Sequence, residues 1–110
     1  MEKEIVVSAL AALAQETRLD VFRLLVQGGR EGLPAGAIGE ALEIPSATLS
    51  FHLKELKNAG LVCCERAGRS RIYHPDFGAV NELVGFLTQN CCQGVAGLRR
   101  NATRRRRSAG

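Results

Sequence analysis

The residues best suited to chemistry in this chain are its four cysteines, which form two adjacent pairs, Cys63-Cys64 and Cys91-Cys92. The spacings Cys-x-x-Cys and His-x-x-x-His are both absent, and the two histidines are His52 and His74. A tetrahedral zinc site of the usual spacing is therefore not expected. Because the first residues lack the basic-then-apolar pattern of a secretory signal, the cysteines indicate thiol chemistry and not structural disulfides.

The second pair, Cys91 and Cys92, falls where the last predicted helix ends, shortly before Gly94. Adjacent helical residues point about 100° apart, so the two sulfurs converge on one ion only if the helix frays there, which Gly94 permits. A soft thiophilic centre that accepts two or three thiolates, such as trivalent arsenic or antimony, suits this pair better than zinc or magnesium. We predict that both cysteines are metal ligands; the alternative is that they are exposed cysteines without a ligand.

The first pair, Cys63 and Cys64, lies on the first strand of a predicted hairpin. Strand neighbours point to opposite faces, so the two sulfurs cannot easily share an ion, and we interpret them as small, semi-buried strand residues. A third ligand for the second pair is nevertheless required. The candidates are Cys63 or Cys64, a cysteine of another subunit, and a solvent molecule or small thiol.

Length and composition limit the function to that of one small domain. The chain has 110 residues, of which 45% are hydrophobic and 24% charged, which excludes a multidomain enzyme. A chain this short leaves much apolar surface uncovered, so we expect an oligomer. No apolar run approaches the ~20 residues of a membrane span, and we expect a cytosolic protein without membrane contact.

The net charge of +4 is unevenly distributed along the chain. Six arginines lie in the last twelve residues, whereas residues 1–98 carry nine basic and eleven acidic side chains. Any nucleic-acid-binding surface on residues 1–98 must therefore be a local patch. Residues 95–110 are predicted to form a disordered tail, which is either a solvated tail or an arm that seeks phosphates.

The hydrophobic pattern predicts a mainly α fold with a two-stranded β-wing. Apolar side chains at helical spacing indicate helices over about residues 5–14, 17–26, 34–42, 47–58 and 77–90. In the second of these we expect a buried stripe formed by Leu19, Phe22, Leu25 and Val26. At residues 61–66 and 71–74 the spacing of apolar residues changes to the one typical of strands, which predicts a hairpin. This order is that of a winged helix-turn-helix, and the last helix offers a dimer surface together with the first.

The fourth helix has the pattern of a DNA-reading helix. If Leu49, Leu53 and Leu56 face the core, helical geometry places mostly small or polar residues outermost. These outermost residues are Ala47, Thr48, Phe51, Lys54 and Glu55, with Ser50 and His52 on the flanks. Such side chains suit the major groove, although an ordinary amphipathic surface helix would also be polar outside. The short preceding helix and the basic hairpin favour DNA binding.

Two segments resemble the ArsR/SmtB family of metal-responsive repressors. They are Leu13-Ala14-Gln15-Glu16-Thr17-Arg18-Leu19 and Ser46-Ala47-Thr48-Leu49-Ser50-Phe51-His52-Leu53-Lys54-Glu55-Leu56, and the resemblance covers about residues 10–94. It implies a homodimer that binds double-stranded operator DNA and releases it when an inducer binds. The DNA contacts that it implies come from Ser46, Thr48, Ser50, His52, Lys54, Arg69 and Arg71. For His52, a structural role inside the fold is an equal alternative.

The position of the cysteines departs from part of the family. The best-known arsenic repressors of this family hold cysteines at the start of the short third helix, where residues 34–42 contain neither cysteine nor histidine. The Asp and His pattern of the zinc-sensing members is also missing from the last helix. The pair Cys91-Cys92 instead resembles the vicinal cysteines that some arsenic-sensing members carry after that helix. The resemblance therefore implies an inducer such as arsenite, an organoarsenical or antimonite.

We therefore expect an arsenic(III)-responsive repressor and not an enzyme. Three alternatives remain. The same thiols could make a redox-responsive repressor by oxidising instead of ligating metal. A small thiol enzyme is disfavoured because neither a phosphate-cradling loop nor a Cys-x-x-Cys is present. An architectural DNA binder would act through the arginine tail alone.

Overall fold

The structure, a computed structural model, describes residues 1–94. Within them the chain forms α1 (Lys3–Leu13), α2 (Glu16–Gly28), β1 (Leu33–Pro34), α3 (Ala35–Leu42), α4 (Ser46–Asn58), β2 (Val62–Ala67), β3 (Ser70–Pro75) and α5 (Phe77–Leu87). The predicted order of helices and hairpin is thereby confirmed. The predicted disordered tail of residues 95–110 lies outside the described residues.

The core lies between α2, α3 and α4. Leu25, Ile38 and Leu56 are fully buried there, and each contributes about 1.5–3 kcal/mol by leaving water. The predicted stripe of α2 is wrong in part, because Leu19 and Val26 are each 42% exposed. The helix instead buries Val21, Phe22 and Leu25. Apolar residues lie around much of α2, so its neighbours, and not its own periodicity, decided which side is buried.

The wing is part of a three-stranded antiparallel sheet with strand order β1-β3-β2. The prediction of two strands was incomplete, because Leu33 and Pro34 pair with Tyr73 and Ile72 of β3. Gly32 permits this pairing: its φ is +76°, and a Cβ atom there would lie 2.6 Å from the Tyr73 carbonyl oxygen. The added strand ties the wing directly to the start of α3.

The end of α5 differs from its predicted position. The Asp76 carboxylate accepts a hydrogen bond from the Ala79 N–H at 3.0 Å and caps the start of the helix. The helix ends at Leu87, three residues earlier than predicted, and Asn90 and Cys92 both have φ of 63°. Cys91 and Cys92 therefore lie in a turn beyond the helix and not in its last turn.

Candidate DNA interface and thiol pair

The outer side of α4 presents small polar groups to solvent. Four of the residues predicted to contact DNA, Ser46, Thr48, Ser50 and Lys54, are exposed. The opposite side of the helix buries Leu49, His52, Leu53 and Leu56. Hydroxyl groups can donate to and accept from base edges, and a lysine can contact phosphate. This side of α4 is therefore chemically suited to a major groove, and base contacts by these residues stay a prediction.

His52 is the exception among the predicted DNA-reading residues. Its side chain is 8% exposed, and its Nδ1 lies 3.3 Å from Nη1 of Arg18. Because the guanidinium can only donate, this contact requires a lone pair on Nδ1. Arg18 also donates from Nε to the Ala12 carbonyl oxygen at 2.8 Å. The structure thus favours the structural role for His52, which joins α4 to α2 and to the end of α1.

Arg18 is a residue that the sequence alone did not single out. Its partner His52 lies 34 positions further along the chain, so no local pattern in the sequence indicates the contact. Its backbone N–H also donates a hydrogen bond to the side-chain oxygen of Gln15 at 2.8 Å, which caps the start of α2. One side chain therefore links the connection between α1 and α2 to the helix that carries the predicted DNA contacts.

The wing presents three exposed arginines. Arg69 and Arg71 are exposed, as a phosphate contact requires. The register of the hairpin places Arg66, which the sequence analysis did not include, opposite Arg71. Like charges that face each other across a ladder repel, and an anion between them relieves the repulsion. The wing is therefore a local basic patch on a chain region that is not basic as a whole.

Cys91 and Cys92 are exposed, and their Sγ atoms lie 2.8 Å apart. This thiol–thiol contact raises the pKa of Cys91. Within residues 1–94, no cluster of three or more His, Cys, Asp or Glu side chains is placed to hold a metal ion. By sequence, residues 95–110 contain none of these four residue types. The two sulfurs are thus a ligand pair suited to a soft ion, and their metal binding stays a prediction.

Cys63 and Cys64 are half-buried on β2, which agrees with their interpretation as strand residues. Cys63 pairs with His74, and Cys64 pairs with Tyr73. Burial, with the nearby carboxylates of Asp76 and Glu65, raises the pKa of the Cys63 thiol. The half-buried Cys63 sulfur is also less accessible to an ion or an oxidant than the exposed sulfurs of Cys91 and Cys92.

An ion pair joins the two strands of the wing at its base. Nε2 of His74 lies 2.9 Å from Oε1 of Glu65, and Nδ1 of His74 lies 3.2 Å from the Pro75 carbonyl oxygen. Both acceptors favour the doubly protonated ring. The Glu65 contact, followed by the Pro75 contact, raises the pKa of His74.

A short third helix, an exposed polar fourth helix and a basic wing define a winged helix-turn-helix DNA-binding regulator. Residues 13–64 match the helix-turn-helix domain family. YbzH of Bacillus subtilis, an uncharacterized HTH-type transcriptional regulator, is 30% identical over 93 residues, which cover 74% of this chain and 93% of YbzH. NmtR of Mycobacterium tuberculosis, an HTH-type transcriptional regulator, is 40% identical over 68 residues, or 62% of this chain and 54% of NmtR.

Among solved structures, an ArsR-like transcriptional regulator from Rhodococcus sp. RHA1 superposes with a TM-score of 0.73 at 26% identity, covering 96% of this chain and 93% of that chain. A homodimeric winged helix-turn-helix DNA-binding domain from Mycobacterium bovis has a TM-score of 0.66 at 29% identity, covering 90% and 84% of the two chains. The chain belongs to the ArsR family of winged helix-turn-helix transcriptional regulators.

The extent of these matches differs among relatives. The chain spans 54% of the length of NmtR and 59% of the length of YceK, another HTH-type regulator of Bacillus subtilis, to which it is 38% identical over 60 residues, or 54% of this chain. Within residues 1–94, none of the helices combines the length and apolar character that a membrane crossing requires.

Proposed function

We propose that this chain is a homodimeric repressor that binds operator DNA through α4 and the wing. In this proposal it releases the DNA when trivalent arsenic binds Cys91 and Cys92. The observation that carries the proposal is the pair of exposed Sγ atoms 2.8 Å apart beyond the end of α5. Both sulfurs lie in an exposed turn beyond α5, so they can adjust their separation to one soft ion without rearrangement of the folded domain.

The proposed dimer is supported by apolar side chains that the single chain leaves in water. Ile5 and Val7 of α1 are 50% and 58% exposed, and Val84 and Leu87 of α5 are 53% and 57% exposed. A second copy would cover such residues and place two α4 helices on half-sites about one helical turn, ~34 Å, apart. The proposed operator is therefore a pseudo-palindrome.

The proposed binding of arsenic is a ligand exchange that requires no oxidant or reductant. Arsenous acid, As(OH)₃, exchanges two hydroxyl groups for two thiols, so that two S–As bonds form and two As–O bonds break. Each thiol proton leaves with a departing hydroxide as water, and arsenic stays trivalent. A third bond goes to a remaining hydroxyl, to a small thiol or to a cysteine of the partner subunit. An organoarsenical or antimonite would use the same two sulfurs.

The coupling in this proposal runs through the end of α5. Ligation pins the turn that follows Leu87, and this helix carries part of the proposed dimer surface. A changed dimer geometry moves the two α4 helices out of register with the half-sites. A hundredfold loss of DNA affinity corresponds to about 2.7 kcal/mol, and DNA must then weaken arsenic binding by the same factor.

A redox-responsive repressor is the second candidate, because the same contact between sulfurs suits oxidation. Hydrogen peroxide would take two electrons and two protons from Cys91 and Cys92, forming a disulfide and two water molecules. Both candidates use the same residues and the same fold. They differ in the reagent that releases the DNA, which is arsenite in the first candidate and hydrogen peroxide in the second.

The test is fluorescence anisotropy of the reduced protein on duplex DNA from immediately upstream of its coding sequence, at one stated salt concentration. We expect tight binding that arsenite reverses. Cys91→Ser and Cys92→Ser should bind the DNA normally and lose the response, whereas the control Cys63→Ser should keep it. Loss of DNA binding in Cys91→Ser would contradict the division of roles. Release by peroxide and not by arsenite would favour the redox candidate.

A further inference from the structure

One large apolar side chain stands out on the polar outer side of α4. Phe51 is 55% exposed, although it lies in the middle of the helix that the proposed function places in the major groove. Exposed Ala47 lies one turn before it, and exposed Thr48 lies three residues before it on the adjoining side. The alanine methyl, the threonine methyl and the phenyl ring therefore form a narrow apolar strip along the helix.

The neighbours of this strip restrict what can bind it. Hydroxyls of Ser46 and Ser50 and the ammonium of Lys54 lie beside it on the exposed side of α4, and the half-buried Glu55 follows Phe51 by one turn. Arg66, Arg69 and Arg71 of the wing are exposed and add positive charge to the same domain. A narrow apolar strip among hydroxyl groups and a lysine, on a domain with a basic wing, suits a nucleic acid better than an apolar protein surface, which would require a broader patch.

The major groove contains one apolar group that such a strip can recognise. Each base pair presents hydrogen-bond donors and acceptors there, and only thymine adds a methyl group at C5. Alanine, the threonine methyl and phenylalanine are the side chains that contact this methyl. The serine hydroxyls beside them can contact the polar edges of the same or neighbouring bases.

The phenyl ring is also held in place. The ring centroids of Phe51 and His52 lie 5.5 Å apart at an interplanar angle of 62°, an edge-on contact. His52 is itself buried and is held by Arg18. The aromatic ring next to Phe51 is thus fixed by the core, which reduces the side-chain freedom that Phe51 loses on binding.

We infer that Phe51 is a specificity-determining residue that reads the C5 methyl group of thymine in the operator half-site. The inference rests on the proposed function, since it requires that α4 enter the major groove. It adds a base preference to that function: each half-site contains a thymine whose methyl group, and not its pairing edge, is recognised by this chain.

The experiment uses duplexes that the reduced full-length protein selects from a randomised library. In the selected duplex, each thymine is replaced in turn by deoxyuridine, which removes the methyl group and keeps base pairing. We expect one thymine per half-site at which this change weakens binding about fourfold, the value for one buried methyl-sized group. In Phe51→Ala, deoxyuridine at that position should have no effect.

Two control variants separate methyl reading from other roles. Phe51→Leu should keep the sensitivity to deoxyuridine, because leucine still offers an apolar contact. Ser50→Ala should weaken binding and keep the sensitivity at the same thymine. In a further duplex, the thymine–adenine pair at that position is replaced by a cytosine–guanine pair. Changing this cytosine to 5-methylcytosine should improve binding by the wild-type chain and not by Phe51→Ala. Circular dichroism of each variant checks that the helices are intact.

Each further outcome overturns the inference in a recognisable way. If wild type and Phe51→Ala lose the same affinity at every deoxyuridine, Phe51 does not read the methyl group. If Phe51→Ala weakens all duplexes alike, the ring acts as a wedge or a non-specific contact. If no duplex is enriched, the proposed function fails and the inference falls with it.

Discussion

Helices α4 and α5 are held by the fold in different ways. α4 buries four residues, Leu49, His52, Leu53 and Leu56, and packs against α1, α2, α3 and β2. α5 buries Leu83 alone, and the cysteine turn beyond it is exposed. The side of the molecule that we propose reads DNA is therefore held firmly by the core, whereas the thiol end adds little to the packing of a single chain.

This difference indicates how a ligand could act without unfolding the domain. A change at the cysteine turn disturbs few contacts within the chain, so its cost falls on whatever α5 packs against. Val84 and Leu87 of α5 are exposed, so this side of the helix is free to contact a partner. DNA reading needs preorganised side chains, and regulation needs a part whose position is not fixed by the core.

From this comparison we expect the largest loss of stability when a buried residue of α4 is truncated. Leu53 is 2% exposed, so Leu53→Ala leaves a cavity between α4 and its neighbours. We expect the free energy of unfolding to fall by about 2–5 kcal/mol in urea titrations. Leu24→Ala, at a half-buried position of α2, is the matched control and should cost less. Equal losses in the two variants would contradict the central role of α4.

The next effect concerns Arg18, whose side chain contacts His52 of α4. Arg18→Met leaves the Ala12 carbonyl and Nδ1 of the buried His52 without the guanidinium donor. We expect a loss of about 1–3 kcal/mol in the free energy of unfolding, measured by urea titration. Arg23→Met, on the exposed side of the same helix, is the control and should change stability by less than about 0.5 kcal/mol. A similar loss in both would show that the contact is not stabilising.

At the other helix, Leu87→Ala should leave the fold intact and weaken self-association. Leu87 is 57% exposed, so truncation removes little packing within the chain. If α5 lies in the dimer interface, we expect the dimer dissociation constant to rise about tenfold, a change of about 1.4 kcal/mol. Sedimentation equilibrium measures it. Unchanged association with unchanged stability would exclude α5 from the interface.

The smallest effect is a pH dependence of the wing. The contact with Glu65 raises the pKa of His74 above its ordinary value of 6.5 in the folded chain. Its stabilising contribution is therefore complete below about pH 6.5 and declines as the pH rises through the folded-state pKa. Because the pair is partly exposed, we expect less than about 1 kcal/mol.

His74→Gln should accordingly lower the urea midpoint at pH 5.5 and have a smaller effect at pH 8.5. Glu65→Gln removes the other partner and should show the same trend with pH. A difference from wild type that grows towards alkaline pH in either variant would rule out this ion pair as the cause.

Much of the fold could be predicted because local patterns repeat along the chain. The spacing of Leu49, Leu53 and Leu56 predicted the inner side of α4, and all three are buried. The predicted end of that helix at residue 58 is also observed, and Gly60, which follows it, has a φ of +79° that glycine adopts readily. These features depend on residues within one or two helical turns of each other, which is the range over which periodicity and turn chemistry act.

The sequence analysis failed where contacts join distant positions. It placed Leu19 and Val26 inside, missed the strand formed by Leu33 and Pro34, and extended the last helix to 90. The first two outcomes depended on neighbours that the local pattern does not specify. A two-residue strand has no periodicity of its own, and it exists because β3 offers it partners.

By itself, the sequence determined the family, the order of the elements and the presence of two adjacent thiols near the end of the last helix. Tertiary structure alone decided that His52 is buried against Arg18, that Arg66 faces Arg71, and that the sulfurs of Cys91 and Cys92 lie 2.8 Å apart. The physical reason is range: periodicity and turn preferences act over a few residues, whereas burial, strand register and turn geometry depend on the surfaces that pack against them.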